Sequence, residues 1–398
     1  LFFLATEFGI YTSLNSCKNW QKLNGTPNMG FRDLVIQKRE SDLVAASFGR
    51  GFYVLDDYSP LRNFSNENLK KKGHLFPIKD GKWFIQRSNL GNTGADFYLA
   101  ENPKYGVTMT YHLGNNYETK SEKRKKSEKR LNQNLLDVPF PGYNNLDEEK
   151  NETPAYIKIS IEDQEGNIIR HLKERAAKGT HRITWDLRHM FKGSITDSNK
   201  KYNLRGPIVK PGKYSASLYL VDNGETTKLS EKKIFELKPI YKSILKGTSF
   251  KDYNNYVDDY FRVYNDVQLI EHEIKAVNEK VNSLKIAIEN TPRETEELVL
   301  DFHNLKNSLL LVERKVFGNE SKTEIGEKNT PTLFNRIRVA SQGLSSSYGP
   351  TKLHMESLDM ARLMNEEIKL LIKNLISKEV TPLENKIKDI NGPVIIED

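Results

Sequence analysis

The residues of this chain that could do chemistry are few and scattered. Asp56-Asp57 closes a strand-like run, and paired carboxylates are the machinery of glycoside hydrolysis. Adjacent strand residues project to opposite faces, so these two are expected to diverge and to act as strand-end caps. Arg50 stands between Gly49 and Gly51, where the backbone can turn sharply and present a guanidinium. A guanidinium in that setting can hold a ligand carboxylate bidentately or satisfy nearby backbone carbonyls, and Arg50 is the one binding candidate. Cys17 is the single cysteine, which excludes an internal disulfide and a cysteine-based zinc cluster; no histidine lies near it in sequence to make it a nucleophile. His181 and His189 stand beside strand ends, without a carboxylate cluster spaced to complete a metal site. No Gly-rich phosphate loop, Gly-x-Ser-x-Gly elbow or His-Glu-x-x-His pair occurs. The sequence therefore assigns no catalytic residue, no metal site and no cofactor.

The elements that would position these residues fall into three regions. Residues 1–57 alternate in short strand-sized runs, Leu1–Thr6, Gly9–Leu14, Trp20–Leu23, Arg32–Gln37, Asp42–Phe48 and Gly51–Asp56, separated by Gly, Asn and charged turns. Ala5-Thr6-Glu7-Phe8-Gly9-Ile10-Tyr11 recurs as Ala46-Ser47-Phe48-Gly49-Arg50-Gly51-Phe52-Tyr53, a spacing of about 42 residues that suits the blade of a β-propeller. Residues 75–113 and 154–238 read as a second all-β region. Asp163 to Asn167 makes a hairpin turn into Ile168–Leu172, and Tyr214–Val221 follows a Pro211-Gly212 turn. From about residue 252 the period becomes helical. Val263, Val267, Ile270, Ile274, Val277, Val281, Leu284 and Ile288 form a heptad seam that Pro292 ends, and Leu298 to Val316 carries a second. Thr332–Ser341 reads as a short helix between polar loops, and Thr351 to Asp389 as a third long helix kinked at Pro382. Three partner helices in one chain predict an antiparallel bundle rather than an intermolecular zipper.

Ser13-Leu14-Asn15-Ser16-Cys17-Lys18-Asn19-Trp20 resembles the Asp-box, Ser-x-Asp-x-Gly-x-Thr-Trp, of sialidase-like and sortilin-like propellers. Ser13 and Trp20 match, while Asn15 replaces Asp, Cys17 replaces Gly and Asn19 replaces Thr. The box is structural: its acid caps the turn, a task Asn can perform, and its Trp packs between strands. With the Gly49-Arg50-Gly51 turn and the run Phe52 to Asp57, residues 1–57 resemble the last blades of bacterial sortilin-like Asp-box (BNR-repeat) propeller proteins. These are often labelled glycosyl hydrolases. Ala100 to Gly106 resembles that family's linker into an all-β domain. Gly179 to Leu187, with Trp185-Asp186, and Lys210 to Tyr214 resemble an Ig-like domain of secreted bacterial proteins, in which the Trp fills the core and Tyr214 lies on the next strand.

The resemblance implies a multidomain β-plus-α chain. Residues 1–74 would be terminal, incomplete propeller blades, and 75–240 an Ig-like β-sandwich with a charged helical insertion at 115–153. An antiparallel helical bundle would occupy 250–391. It further implies the C-terminal part of a larger, extracytoplasmic protein (periplasmic, cell-surface or secreted). Such a region would be non-catalytic, serving as a scaffold or binding a protein or glycan through the propeller. The competing reading is a glycosidase-like hydrolase whose active site lies mainly in upstream blades. Two blades alone leave sheet edges open, so residues 1–57 are expected to be weakly stable.

Bulk properties narrow the classes. Hydrophobic residues make up 37% and charged residues 29%, polar for a folded chain yet short of disorder. The net charge of +8 suggests nucleic acid, but residues 120–130 alone hold seven basic and two acidic side chains, so one short segment supplies +5 of it. No aromatics are interleaved there for base stacking, and the segment reads as a solvated helix rather than a nucleic-acid site. No apolar run approaches the roughly 18 residues a membrane-spanning helix requires.

Overall fold

The computed structural model describes residues 1–86, 100–196, 204–241, 244–292 and 295–395. The chain is β plus α and divides into two compact units. One comprises 1–190 with 211–240, and the other 191–210 with 241–398.

The first unit begins with two antiparallel three-stranded sheets, each in sequence order. One contains β1 (Phe2–Thr6), β2 (Gly9–Ser13) and β3 (Gln21–Lys22); the other contains β4 (Phe31–Gln37), β5 (Asp42–Ser47) and β6 (Phe52–Leu55). The expected strands thus form, with ends trimmed by a residue or so. Alternation decides their packing, because one face of each strand turns inward. Phe3, Ala5 and Ile10 of the first sheet meet Phe31, Leu43, Ala45 and Tyr53 of the second in a shared core with Tyr58. The opposite faces remain open: Phe2 and Leu4 on β1, and Phe52 and Val54 on β6, are exposed.

Beyond a 3₁₀ turn at Ser59–Asn63 and the short helix α1 (Asn66–Lys70) lie two larger sheets. The strands are β7 (Gly73–Leu75), β8 (Gly81–Trp83), β9 (Val107–Leu113), β10 (Tyr156–Glu162), β11 (Ile168–Arg175), β12 (Gly179–Trp185), β13 (Gly212–Asp222), β14 (Glu225–Lys228) and β15 (Lys233–Pro239). One sheet has the order β12-β9-β7, and the other β11-β10-β13-β15-β8 with β14 on β13; among the described residues only β15 and β8 pair in parallel. The Trp185 ring of β12 lies 5.3 Å from Tyr214 of β13 and 6.2 Å from Phe235 of β15, so the two sheets face each other across a buried aromatic interior. The indole N–H of Trp185 donates to the Arg188 carbonyl at 2.9 Å, which satisfies its one polar atom. Gly106, at φ +127°, lies so close behind this strand that a Cβ there would come within 1.8 Å of the Trp185 carbonyl oxygen. Between β9 and β10 the chain makes a helical hairpin, α2 (Lys120–Gln133) and α3 (Tyr143–Asn151).

The second unit is helical: α4 (Phe250–Glu289), α5 (Glu296–Val316), α6 (Glu320–Glu324), α7 (Leu333–Gln342), α8 (Lys352–Leu375) and α9 (Thr381–Asp389). Ser249 and Thr295 cap the first two long helices by accepting from the N–H groups of Asp252 and Leu298. Every residue of the α4 seam is buried, as are Leu298, Leu305, Leu309, Val312 and Val316 of α5. The pairs Lys369–Asp266 (2.9 Å) and Lys280–Glu384 (3.0 Å) show α8 and α9 running in the direction of α4. Lys315–Glu367 (2.8 Å) and Lys386–Asp301 (2.7 Å) show α5 running against them. Pro382 does not break the third helix. A proline there can give no N–H to the preceding turn, and Ile376–Val380 widens into a π turn that absorbs the misfit. The loop expected between Gly318 and Pro331 contains the short α6. No helix among the described residues is long and apolar enough to cross a membrane.

Candidate functional site

The first unit holds a cleft of about 840 Å³, lined by Glu40, Asp42, Asp56 and Asp57 from the N-terminal sheets and Lys79, Asp80 and Lys82 from the β8 region. Phe84, Gln86, Asn102, Lys104 and Tyr105 complete the wall. Phe84 and Tyr105 meet edge to face at 4.9 Å, and the Tyr105 hydroxyl donates to the Phe84 carbonyl.

Most of the charge in this cleft is already spent. Glu40 accepts from Lys82 Nζ at 2.6 Å and from Lys79 Nζ at 2.9 Å, which holds its carboxyl down at about 2. Asp42 Oδ1 accepts the Asp57 N–H at 2.8 Å. Asp57 Oδ1 accepts the Ser59 N–H at 3.2 Å and the Ser59 hydroxyl at 2.6 Å. Asp80 accepts from Lys238 Nζ at 2.6 Å and from the Glu236 N–H at 2.9 Å. Burial alone would raise its pKa; these two donors outweigh burial and lower it. Asp56 differs. Its carboxylate makes no hydrogen bond or ion pair among the described residues, and burial together with the Asp42 charge raises its pKa.

The expected divergence of Asp56 and Asp57 rested on their being strand residues. In fact β6 ends at Leu55, Asp57 takes φ +41°, and both line the same cleft. The capping role does hold for Asp57. Arg182 adds a second tie, donating to the Asp56 carbonyl at 2.9 Å and to the Asp57 carbonyl. The arrangement is a latch between the N-terminal sheets and the sheets that follow. Because the Glu40 carboxyl is depressed, its contribution is present above pH ~4.5 and lost as pH falls toward 2. Glu40→Gln is therefore expected to lower stability at pH 7 by about 1 kcal/mol or less, since the pair is partly solvated. The difference from wild type should shrink below pH ~4.5, as read from urea denaturation across pH.

The other sequence-derived candidates lie elsewhere. Arg50 occupies the β5–β6 turn, with Gly49 at φ +77° and Gly51 at +71°. Its side chain is exposed and makes no hydrogen bond or ion pair among the described residues, so it serves no visible structural contact. In the Asp-box-like turn, Asn15 Oδ1 accepts the Asn19 N–H at 2.9 Å, and the buried Ser13 Oγ accepts the Cys17 N–H at 2.9 Å. Asn15 thus caps the turn as an Asp would. Cys17 sits at φ +65°, in the left-handed region that favours glycine. Cys17→Gly is expected to raise stability by about 0.5–1 kcal/mol, the relief of that strain less the entropy of glycine, read as a rise in Tm. Trp20 is 38% exposed and sits at the surface rather than in the shared core. Trp185 and Tyr214 lie in the core of the facing sheets, and Asp186 follows β12 directly behind Gly106. His181 Nε2 pairs with the Ala177 carbonyl at 2.8 Å, and no group of three potential metal ligands occurs among the described residues.

The cleft was missed by sequence reasoning because its walls come from residues 40–57, 79–86 and 102–108. Only the Asp56-Asp57 pair signalled it. Fold and cleft together define a β-plus-α protein with a polar recess in its first unit, in which Glu40 and Asp80 are paired with lysines. No protein-family model matches the chain, and no curated protein matches it.

Proposed function

We propose that this chain is the non-catalytic C-terminal region of an exported Asp-box propeller protein, a scaffold that also binds a protein or glycan. In this reading the two N-terminal sheets are propeller blades, the facing sheets an Ig-like sandwich, and the helices an antiparallel bundle. One observation carries it. Two tandem three-stranded sheets stack through a common core while their outer faces still expose Phe2, Leu4, Phe52 and Val54. The sequence repeat aligns β1 with β5 and β2 with β6. Four-stranded blades would then want one strand beside β1 and one beside β6, and both of those edges are unpaired among the described residues, as are the outer edges of β3 and β4. Arg50, exposed and uncommitted on a blade turn, is the contact for a ligand carboxylate.

The hydrolase reading draws its support from Asp56, a carboxylate with a raised pKa in a polar cleft. Against it, four of the five cleft carboxylates are bound to lysines or turn N–H groups, so no second carboxylate is at liberty to work with Asp56. The test is turnover of chromogenic glycosides and sialosides by the full chain and by Asp56→Asn. No turnover by either is expected; hydrolysis abolished in Asp56→Asn would contradict the non-catalytic reading. Binding is tested by NMR titration with acidic sugars and acidic peptides. Shifts confined to the Arg50 turn and lost in Arg50→Ala support the contact, and shifts that persist in Arg50→Ala remove it.

A further inference from the structure

We infer that the helical hairpin inserted between β9 and β10 is a docking element for an anionic lipid bilayer, entering through its apolar tip. The hairpin separates its charges along its length. Residues 123–143 carry six basic and two acidic side chains, whereas residues 144–153 carry four acidic and one basic. At the base the acids are neutralised within the hairpin: Arg124 pairs with Glu149 at 2.7 Å and Glu128 at 2.6 Å, and Lys120 with Glu148 at 2.6 Å. Further toward the tip the side chains of Lys125, Lys129 and Arg130 are exposed and make no hydrogen bond or ion pair among the described residues.

The tip is solvent-facing and largely apolar, with one exposed carboxylate, Asp137, among its apolar side chains. Leu135 is 95% exposed and Tyr143 78%, and Leu136, Val138 and Phe140 between them are exposed as well. Five large apolar side chains within nine residues form a patch, unlike the singly scattered apolar residues of an ordinary surface. Leu135 holds a backbone φ of +55°, uncommon for a residue with a Cβ, and its side chain stands almost wholly in solvent. Pro139 and Pro141 stiffen the loop, and Phe140 meets Tyr143 edge to face at 5.1 Å, so the apolar surface is held in place rather than collapsed. α2 has no buried residue and a polar surface all round, so the insertion is by the loop and not by a helix face.

Apolar side chains beside a cluster of uncommitted cations match a bilayer interface bearing acidic headgroups. The tip enters the acyl boundary, Tyr143 sits at headgroup depth, and the lysines meet the phosphates. Each contribution is weak alone, and two together give stable binding.

Co-sedimentation of the full chain with lipid vesicles tests this, after subtraction of material that sediments without lipid. The chain should bind vesicles of phosphatidylcholine containing about one third phosphatidylglycerol, bind pure phosphatidylcholine far less, and release as salt rises. Leu135→Ser with Phe140→Ser should weaken binding by more than about tenfold, since both apolar insertions are lost. Lys129→Glu with Arg130→Glu should weaken binding to the acidic vesicles alone. Both pairs are fully or largely exposed, so circular dichroism should show unchanged folding. The inference fails if wild type ignores acidic vesicles, or if the serine variant binds them as wild type does. It fails also if lipid-free sizing shows wild type self-associating through a tip that the serine variant makes monomeric.

Discussion

Replacing Trp185 by Ala should cost about 3–5 kcal/mol and leave the first unit barely folded. The side chain is fully buried, and its ring joins the two facing sheets through Tyr214 and Phe235. Removal empties the centre of that interior and leaves the Arg188 carbonyl without its indole donor. Domains hold only about 5–15 kcal/mol in total, so the Ala variant will be marginal, and Trp185→Phe gives a measurable intermediate. Trp20→Ala is the internal comparison. Its ring is at the surface, and the loss should stay near or below about 1 kcal/mol by urea denaturation. A larger loss at Trp20 than at Trp185 would mean that the core has been placed in the wrong sheets.

Gly106→Ala should be at least as damaging, for a different reason. A Cβ would stand 1.8 Å from the Trp185 oxygen, and neither neighbour can yield, because Val107 and Trp185 are paired in the β9–β12 ladder. Either the strand pair opens or the loop before β9 moves, and soluble protein is expected to fall sharply. Gly166→Ala separates steric clash from backbone strain. Gly166 also has positive φ, +87°, but a Cβ there meets nothing within 4 Å. Its cost should be the left-handed penalty alone, about 1–2 kcal/mol. Thermal denaturation of the two variants side by side should show a modest Tm shift for Gly166→Ala and a collapse for Gly106→Ala. Equal shifts would contradict the close approach.

These two positions also show how far the sequence could be read. Trp185 was expected in a core because Gly179 to Leu187 and the Pro-Gly turn into Tyr214 resemble a domain whose Trp fills the core. The heptad seams from Val263 and from Leu298 were legible for another reason, since burial follows period and period is written in residue order. What remained hidden depended on contacts between distant residues. Gly106 looked like a linker glycine until β12 lay against it. Asp56 and Asp57 were treated as strand residues, whereas β6 ends at Leu55 and both residues line the same cleft. At Pro382 the sequence signalled a departure from regular helix but not its form, a π turn at Ile376–Val380 after which Leu383 and Ile387 are buried again. In the 115–153 insertion the charge count drew notice to Lys120–Arg130, while Leu135-Leu136, Val138, Phe140 and Tyr143 passed unremarked. Exposure, unlike periodicity, has no signature in a short loop.

The most direct test of the blade reading is amide hydrogen exchange on the whole chain, followed by mass spectrometry. Sheets that expose Phe2, Leu4, Phe52 and Val54 and leave the β1 and β6 edges unpaired hold little of their stability by themselves. Peptides from β1 to β6 should exchange at least about a hundredfold faster than those from β9, β10, β13 and the α4 seam, because local opening there costs several kcal/mol less. Protection of β1 to β6 equal to that of β10 and β13 would show that these two sheets are complete as they stand, and would contradict their assignment as blades awaiting neighbours.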